Sequence, residues 1–240
     1  MSTASALLDP YSLRARLQPA LLALFPILIA FFALAPAAWE PAQAAAVVFG
    51  AIGGTLLLSH MARDAGKGLE PALFAAWGGK PSVAMLRHRD TRIASGSKQR
   101  YHQRLSALLG TSLPTVQQEA NDPAAADGAY EAANAWLLAR TRDHETFGLL
   151  FAENISYGFR RNFFALRRVG LVITLLSLAA ILSAQLAPQW PWSVNSSLLL
   201  AAAIAIAVYG TLVLLVVRRS WVKRAAEEYG RRLLECVDHL

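Results

Sequence analysis

Four blocks of apolar residues constrain the fold of this chain more than any other feature. None of the blocks contains Asp, Glu, Lys or Arg, and they cover residues 17–38, 42–59, 169–186 and 198–217. A helix needs about 20 predominantly apolar residues to cross roughly 30 Å of hydrocarbon. The sequence therefore predicts an all-α polytopic membrane protein with four transmembrane helices in two hairpins and a helical cytoplasmic domain between spans two and three.

The Lys and Arg residues predict the orientation of these spans. The chain has 23 of them: two precede the first block, fifteen lie between the second and third blocks, and six follow the fourth. The connections at 39–41 and 187–197 contain none, but they hold Trp39, Trp190 and Trp192. Cations accumulate on the cytoplasmic side of a membrane, and Trp prefers the headgroup layer. We therefore expect both termini to be cytoplasmic, and the Ala- and Arg-rich composition indicates a bacterial inner membrane.

These assignments divide the chain into five segments. They are a cytoplasmic N-terminal segment at 1–16, a first transmembrane hairpin at 17–60, a basic helical cytoplasmic domain at 61–168, a second transmembrane hairpin at 169–217, and a cytoplasmic C-terminal helix at 218–240. Within the basic domain, helical patterns cover 82–88 and a long stretch that begins with Asp127 as N-cap and continues toward the third span. No run alternates with period two for long enough to predict a strand.

The segment from Arg87 to Arg104 is the strongest candidate for a ligand site. It holds six Lys or Arg side chains against one carboxylate, Asp90. Arg binds phosphate with bidentate geometry, and the nearby Trp77 and Tyr101 offer surfaces on which bases stack. The predicted ligand-binding residues are Arg87, His88, Arg89, Arg92, Lys98, Arg100, Tyr101 and Arg104. A nucleotide or short oligonucleotide fits this chemistry, while anionic lipid headgroups, or plain solvation, remain the alternatives.

Small polar residues in the spans, and two arginines next to the third span, are candidates for a pore and its gate. The predicted pore or gating residues are Thr55, Ser59, Thr174, Ser177, Arg160 and Arg161. Hydroxyl groups in a span either bond back to their own helix or line a narrow wet path when several subunits surround an axis. The two arginines either anchor their helix at the inner leaflet or couple the domain to the pore.

A pore of this kind requires a homo-oligomer, because four spans seldom enclose a path alone. Gly50 with Gly54, and Ala203 with Ala207, form small-xxx-small pairs that permit close helix approach. Packing within one chain would use these pairs equally well. The sequence therefore permits assembly through these faces, and packing within a single chain remains the alternative.

The sequence contains no specific catalytic or metal-binding motif. His88-Arg89-Asp90 spells a kinase triplet, but neither a glycine-rich loop nor an Asp-Phe-Gly motif accompanies it. The five histidines do not pair with each other or with Cys236 at metal-ligand spacing. We therefore expect no enzyme, no metal site and no cofactor. The four blocks also lack the ionisable residues that coupled transporters keep inside the membrane.

Two membrane hairpins that flank a basic cytoplasmic domain resemble the transmembrane effectors of nucleotidyltransferase-coupled bacterial anti-phage systems, of the CBASS or Hailong type. The residues that carry the resemblance are Arg87-His88-Arg89-Asp90-Thr91-Arg92 and Tyr157-Gly158-Phe159-Arg160-Arg161-Asn162. The resemblance implies a homo-oligomeric ion channel or pore-forming effector that a nucleotide or oligonucleotide gates from the cytoplasm. It also implies a partner nucleotidyltransferase encoded in the same operon.

Two other functions remain open on the sequence alone. One is a membrane-anchored sensor or scaffold whose cytoplasmic domain docks a protein partner, and the other is a small-molecule permease. All three functions place the chain in a lipid bilayer. Ion flux in liposomes separates a channel from an anchor, and dependence of that flux on a ligand separates a gated channel from a simple permease.

Overall fold

The computed structural model describes residues 9–34, 41–186 and 195–240, and it describes residues 41–48 by their backbone alone. Within these ranges every element of regular structure is helical, which confirms the predicted all-α class there. The helices are α1 (Pro10–Leu34), α2 (Pro41–Ala76), α3 (Pro81–Ala84), α4 (Ser95–Leu109), α5 (Val116–Asn121), α6 (Pro123–Arg140), α7 (Gly148–Leu186), α8 (Ser196–Val216) and α9 (Arg219–Glu235), followed by a 3₁₀ turn at Cys236–His239.

Three of the described helices, α1, α7 and α8, are long and apolar enough to cross a membrane. Their length and composition indicate a membrane protein. The predicted second span at 42–59 lies in α2, and the side chains of its first seven residues lie outside the described part of the chain. Trp39, Trp190 and Trp192, the predicted headgroup residues, also lie outside it.

The first helix, α1, begins with a cap and contains a π turn. The carboxylate of Asp9 accepts a hydrogen bond of 3.0 Å from the Ser12 amide, and Pro10 occupies the first turn, where no amide donor is needed. At Leu13–Leu17 the backbone is a π helix, which inserts an extra residue into the turn. Because of this extra residue, the face of α1 that packs against neighbouring helices differs before and after the π turn.

The chain divides into two compact units. The span unit comprises Met1–Leu69 and Gly158–Val222, and the polar unit comprises Glu70–Tyr157 and Lys223–Leu240. The polar unit contains thirteen Lys or Arg and thirteen Asp or Glu, whereas the span unit contains ten and three. The polar unit is therefore neutral, and the whole net charge of +7 belongs to the span unit.

The core of the polar unit explains why the end of the chain belongs to it. Leu233 of α9 is fully buried in one cluster with Leu105 of α4 and Tyr130 of α6. Burying a leucine side chain stabilises a fold by about 1.5–3 kcal/mol. Gly230 lies so close to α3 that an added Cβ would be 2.9 Å from the Ser82 amide nitrogen. The close contact at this point requires glycine.

The continuous helix predicted from Asp127 toward the third span is wrong, because residues 141–147 interrupt it. The helix begins earlier, at Asp122, whose carboxylate accepts a 3.0 Å hydrogen bond from an amide in the first turn of α6. After α6 ends, the Asp143 carboxylate accepts a 3.1 Å hydrogen bond from the Glu145 amide. Short polar side chains compete with the helix for backbone groups in this way. A new helix, α7, begins after this turn.

Small side chains bring the helices of the span unit together. Ala20 and Ala23 of α1 pack against Leu58 and Ala62 of α2, together with Leu166 of α7. Farther along α1, a second cluster joins it to α7 and α8; its buried members are Ala30, Ala33, Ile181, Ala184, Leu199, Ala202 and Ile206. Alanine lets helix backbones approach closely. As a result, α1 contacts the other three long helices of this unit.

Candidate functional site

Most of the predicted ligand-binding segment forms ion pairs within the polar unit. The helix predicted at 82–88 ends at Ala84, and the turn after it directs Arg87 to Asp127 of α6. Nε and Nη2 of Arg87 donate to the two carboxylate oxygens at 2.7 and 2.8 Å, and Nη1 donates to the Gly78 carbonyl at 2.6 Å. Only 15% of this side chain is exposed. Contacts within the polar unit therefore use most of the hydrogen-bond donors of Arg87.

Arg92 and Arg100 pair with carboxylates near the end of the chain. Arg92 contacts Asp90 at 2.6 Å and Glu227 of α9 at 2.9 Å. Arg100 forms a bidentate pair with Asp238, with distances of 3.0 and 2.9 Å. The end of the chain thus supplies two carboxylates that pair with this segment, although they lie far from it in the sequence.

Lys98 closes the turn between α3 and α4. Its buried ammonium group donates to the carbonyl oxygen of Arg87 at 2.6 Å and to that of Asp90. Burial lowers the pKa of Lys98, and the Asp90 and Glu119 carboxylates partly oppose that shift. This cation therefore holds the backbone in place, and its burial limits its access to a ligand.

The predicted excess of positive charge in the segment is mostly cancelled in three dimensions. Three of the six cations are exposed: Arg89, 51% exposed, reaches Glu119 only at 3.7 Å, Arg104 lies on the surface of α4, and Arg100, 52% exposed, is paired with Asp238. The predicted stacking surfaces also change, because Tyr101 is buried and Trp77 packs against an aromatic neighbour of α2. A ligand would therefore meet far less positive charge here than the sequence predicted.

A groove of about 1120 Å³ adjoins this segment in the polar unit. Of the predicted ligand residues, His88, Arg89 and Lys98 line it, whereas Arg87, Arg92, Arg100, Tyr101 and Arg104 do not. His102 of α4 and Glu119 of α5, which the sequence did not single out, complete the wall. Ligand pockets usually occupy about 300–1,000 Å³. The groove is therefore large enough for a nucleotide.

Glu119 holds the wall of the groove together. Its carboxylate, only 3% exposed, accepts hydrogen bonds from the His88 amide at 2.7 Å and the Tyr130 hydroxyl at 2.8 Å. The Arg89 amide donates a longer bond of 3.4 Å. Burial alone would raise the pKa of Glu119, but these donors outweigh it and hold the pKa below its ordinary value. Burial and the bond to Glu119 also raise the pKa of Tyr130.

Two histidine rings lie beside this carboxylate, with 4.6 Å between their centres. Nε2 of His88 is 2.9 Å from the Pro114 carbonyl oxygen, and Nε2 of His102 is 2.7 Å from the Leu86 carbonyl oxygen. A carbonyl oxygen only accepts, so Nε2 of each ring carries a proton, and in a neutral ring Nδ1 is an acceptor. Burial lowers the pKa of His102, which keeps that ring neutral near pH 7. The His102 ring therefore adds an acceptor to this wall rather than positive charge.

The hydroxyl groups predicted to line a pore are bonded to their own helices. Thr55, Ser59 and Thr174 each donate to a carbonyl oxygen three or four residues earlier, at 2.7–2.8 Å. All three are buried, and so is Ser177, whose Oγ has no partner among the described residues. Within one chain, therefore, the hydroxyl groups of Thr55, Ser59 and Thr174 bond back to their own helix, which was the alternative to lining a pore.

The two predicted gating arginines lie in different surroundings within the span unit. Arg160 donates to the Trp221 carbonyl at 3.3 Å, and its guanidinium carbon is 5.2 Å from the centre of a Trp221 ring. Arg161 is buried, and its Nε and Nη2 both donate to Asn162 Oδ1 at 3.1 Å. Arg160 thus anchors a helix end, whereas Arg161 belongs to a buried polar cluster.

This polar cluster joins three helices of the span unit. Asn162 of α7 is completely buried and donates from Nδ2 to the Ala15 carbonyl, in the π turn of α1, at 2.6 Å. Gly66 of α2 lies against it, since an added Cβ would be 2.3 Å from Asn162 Oδ1. Asn162 and Gly66 were not among the predicted site residues. No motif spacing relates positions 15, 66 and 162, so only the fold brings them together.

No protein-family model, no curated protein and no solved structure matches this chain. Across the described ranges, no group of three or more His, Cys, Asp or Glu side chains is placed to hold a metal ion.

Proposed function

We propose that α2 crosses the membrane together with α1, α7 and α8, so that the span unit forms two transmembrane hairpins. Two observations support this proposal. Leu58 and Ala62 of α2 pack against the small side chains of α1. Phe49, Ile52 and Leu57 of the same helix are 74%, 53% and 65% exposed. Contiguous apolar exposure of this kind is expected where lipid, and not water, surrounds a helix.

The cations of the span unit support an orientation. One end of each helix lies in the same region of the unit. The contacts there are the Asn162–Ala15 and Arg160–Trp221 hydrogen bonds and the close approach of Gly66 to Asn162. All ten Lys and Arg residues of the unit lie within six positions of residue 15, 66, 162 or 221 in the sequence. Because cations accumulate on the cytoplasmic side, this end is the cytoplasmic end. Both termini then lie in the cytoplasm, and the bacterial inner membrane is the proposed location.

Topology reporters test this arrangement. Fusions after Leu240 and between Thr111 and Ser112 should report a cytoplasmic location, and an insertion at Gln189 should report the periplasm. If α2 does not cross the membrane while α1 does, all three signals invert. A fluorescent protein and alkaline phosphatase, read in parallel at each position, distinguish the two patterns.

We propose further that the chain is a subunit of a homo-oligomeric ion channel or pore-forming effector. In this proposal the polar unit responds to a nucleotide or short oligonucleotide and controls the span unit, with anti-phage defence as the role and a nucleotidyltransferase as the source of the signal. The observation that carries the proposal is where the chain passes between its units. Each passage lies inside a helix: Leu69 to Glu70 in α2, Tyr157 to Gly158 in α7, and Val222 to Lys223 in α9.

These uninterrupted helices favour control over simple tethering. Domains that act independently are usually joined by exposed, flexible linkers. Here the connections are helical, and a ligand that prefers one state of the polar unit would bias the helices that continue into the span unit. Differential affinity for two states is all that a ligand needs in order to shift a gate.

The glycines of α2 support assembly between copies. An added Cβ at Gly50, Gly53 or Gly54 would meet no described atom within 4 Å. Packing within the described part of the chain therefore leaves the face that includes Gly53 open to a neighbouring subunit, although the sequence allowed packing within the chain. Faces of this kind permit close approach of helices from neighbouring subunits.

The groove of the polar unit is the proposed site of the signal. Arg89 offers an exposed guanidinium to phosphate oxygens, as the sequence predicted for this segment. The neutral His102 ring offers an acceptor suited to the N–H groups of a base. A nucleotide carries both kinds of group, which is why it fits this wall better than phosphate alone.

Ion flux with and without a flexible insertion tests the channel. The full-length protein in potassium-loaded liposomes should release ions at a rate that changes on addition of ATP or a random-sequence hexanucleotide. Three glycines inserted between Leu69 and Glu70 should abolish the response, because they interrupt α2, while binding of the nucleotide persists. The same insertion between Thr111 and Ser112, outside any helix, is the control and should leave the response intact. A response that survives the α2 insertion would contradict control through this helix.

A membrane-anchored sensor or scaffold is the second candidate function. The observation that favours it is the internal bonding of Thr55, Ser59 and Thr174, which leaves these hydroxyls unavailable to a water-filled path in a single subunit. In that case reconstituted protein would bind ligand and produce no flux at all. The liposome experiment therefore separates the two candidates.

A further inference from the structure

An apolar groove of about 460 Å³ lies between α1 and α2 in the span unit. Its lining runs from Leu17 to Phe31 along α1 and from Gly50 to Leu56 along α2. The one hydroxyl in this lining, that of Thr55, is already bonded to the Ala51 carbonyl at 2.7 Å. The groove therefore offers contact to hydrocarbon and no free hydrogen-bonding group of a side chain.

The length of the groove suits an extended hydrocarbon chain. From Leu17 to Phe31 the helix rises roughly 20 Å, at 1.5 Å per residue. One leaflet contributes about half of the roughly 30 Å of bilayer hydrocarbon. A single acyl chain can therefore lie along the groove within its own leaflet.

One end of the groove carries positive charge. Arg16 immediately precedes Leu17 in α1, and Arg63 lies two turns beyond Leu56 on the same face of α2, roughly 10 Å along the helix. Neither arginine pairs with a carboxylate among the described residues, and Nε of each is shielded from solvent without a hydrogen-bond acceptor there. Partly buried cations are stabilised by a counterion. The chemistry that matches both features is an anion attached to a hydrocarbon tail.

We propose that this groove binds an anionic glycerophospholipid, with one acyl chain along α1 and α2 and the phosphate headgroup near Arg16 and Arg63. The site rests on the proposed membrane crossing of α2 and does not depend on channel activity. Gly53, which does not line the groove, stays available to a second copy of the chain. Each cation near an anionic headgroup contributes roughly a fivefold gain in affinity, so the two together should give roughly a 25-fold preference for an anionic lipid.

Native mass spectrometry of the full-length protein tests the site. After delipidation in mild detergent, the protein is titrated with phosphatidylglycerol and with phosphatidylcholine of identical acyl chains. Tighter binding of one phosphatidylglycerol molecule, by tenfold or more, is the expected result. Arg16→Gln with Arg63→Gln should remove that preference and retain weak binding of both lipids. Ala51→Phe, which fills the groove, should weaken both lipids.

Matched variants control for charge and bulk. Arg168→Gln with Arg219→Gln removes two exposed cations of the same unit, and Ala201→Phe adds the same ring to an exposed position of α8; both should leave lipid binding unchanged. Equal binding of the two lipids by the native protein would overturn the proposal. So would an Ala51→Phe protein whose subunit number changes while its lipid binding does not, because a second copy of the chain would then occupy the groove. Topology reporters read separately show whether a failure lies in the lipid site or in the proposed membrane crossing.

Discussion

Replacing Glu119 with Ala is expected to lower the free energy of unfolding of the polar unit by about 3–5 kcal/mol. The carboxylate is buried and receives the His88 and Arg89 amides and the Tyr130 hydroxyl. Alanine would leave these donors without their acceptor, and each buried donor left unpaired costs about 1–3 kcal/mol. Because a whole domain is stable by only about 5–15 kcal/mol, this loss should open the wall of the ligand groove.

The Glu119→Gln protein separates the charge from the shape of this side chain. An amide keeps one acceptor oxygen, but its NH₂ group meets a donor, so we expect a loss of about 2 kcal/mol near pH 7. In the folded protein the pKa of Glu119 lies below its ordinary value of 4.5. The ionised carboxylate therefore stabilises the fold above pH 4.5, and this contribution is lost as the pH falls through the lower, folded-state pKa. The difference between native and Gln proteins should shrink as the pH falls below 4.5.

Hydrogen exchange on the full-length protein in detergent measures this effect locally. Exchange of the amides of His88 and Arg89 should accelerate strongly in the Glu119→Ala protein, while exchange in the span unit stays unchanged. Glu131→Ala, which removes an exposed carboxylate from α6, is the control and should change the stability by less than about 0.5 kcal/mol. Equal effects of the two substitutions would show that Glu119 does not hold the wall.

The ion pairs of residues 87–104 could not be predicted from that segment alone. Within residues 87–104 the only carboxylate is Asp90, and from this the sequence predicted a large excess of positive charge. The partners Asp127, Glu227 and Asp238 lie 40 to 138 positions away from the arginines they bind. Ion pairing depends on distance in space, so no local stretch reveals it. The exposed Arg89, in contrast, remains a candidate for binding phosphate.

The helices were predictable to different degrees for a physical reason. Hydropathy depends on composition alone, and it predicted the apolar parts of α1, α7 and α8 directly. The ends of helices depend on which side chain captures a backbone group, as Asp122 and Asp143 do on either side of the predicted continuous helix. Likewise, the C-terminal helix was predictable from the sequence, but the residues that cover its Leu233 were not. Tertiary contacts decide such cases.

Replacing Gly66 with Ala is the second change expected to have a large effect, this time on the span unit. The new Cβ would lie 2.3 Å from Asn162 Oδ1 and 3.1 Å from Arg161 Nε. Asn162 cannot move away cheaply, because it is completely buried and bonded to the Ala15 carbonyl at 2.6 Å. Overpacking costs about 1–3 kcal/mol, and loss of a buried hydrogen bond adds a similar amount. We expect a total of about 3 kcal/mol.

Gly68 provides the matched control in the same helix, because a Cβ there meets no described atom within 4 Å. Gly68→Ala should be neutral or stabilise the protein by up to about 1 kcal/mol, as expected for Ala over Gly in a helix. A double-mutant cycle then identifies the contact. In an Asn162→Ala background, which removes the clashing oxygen, Gly66→Ala should cost at least 1 kcal/mol less than in the native chain, as measured by thermal unfolding in detergent. Strictly additive effects would mean that Gly66 and Asn162 do not meet, and that the polar cluster joining α1, α2 and α7 is not formed as described.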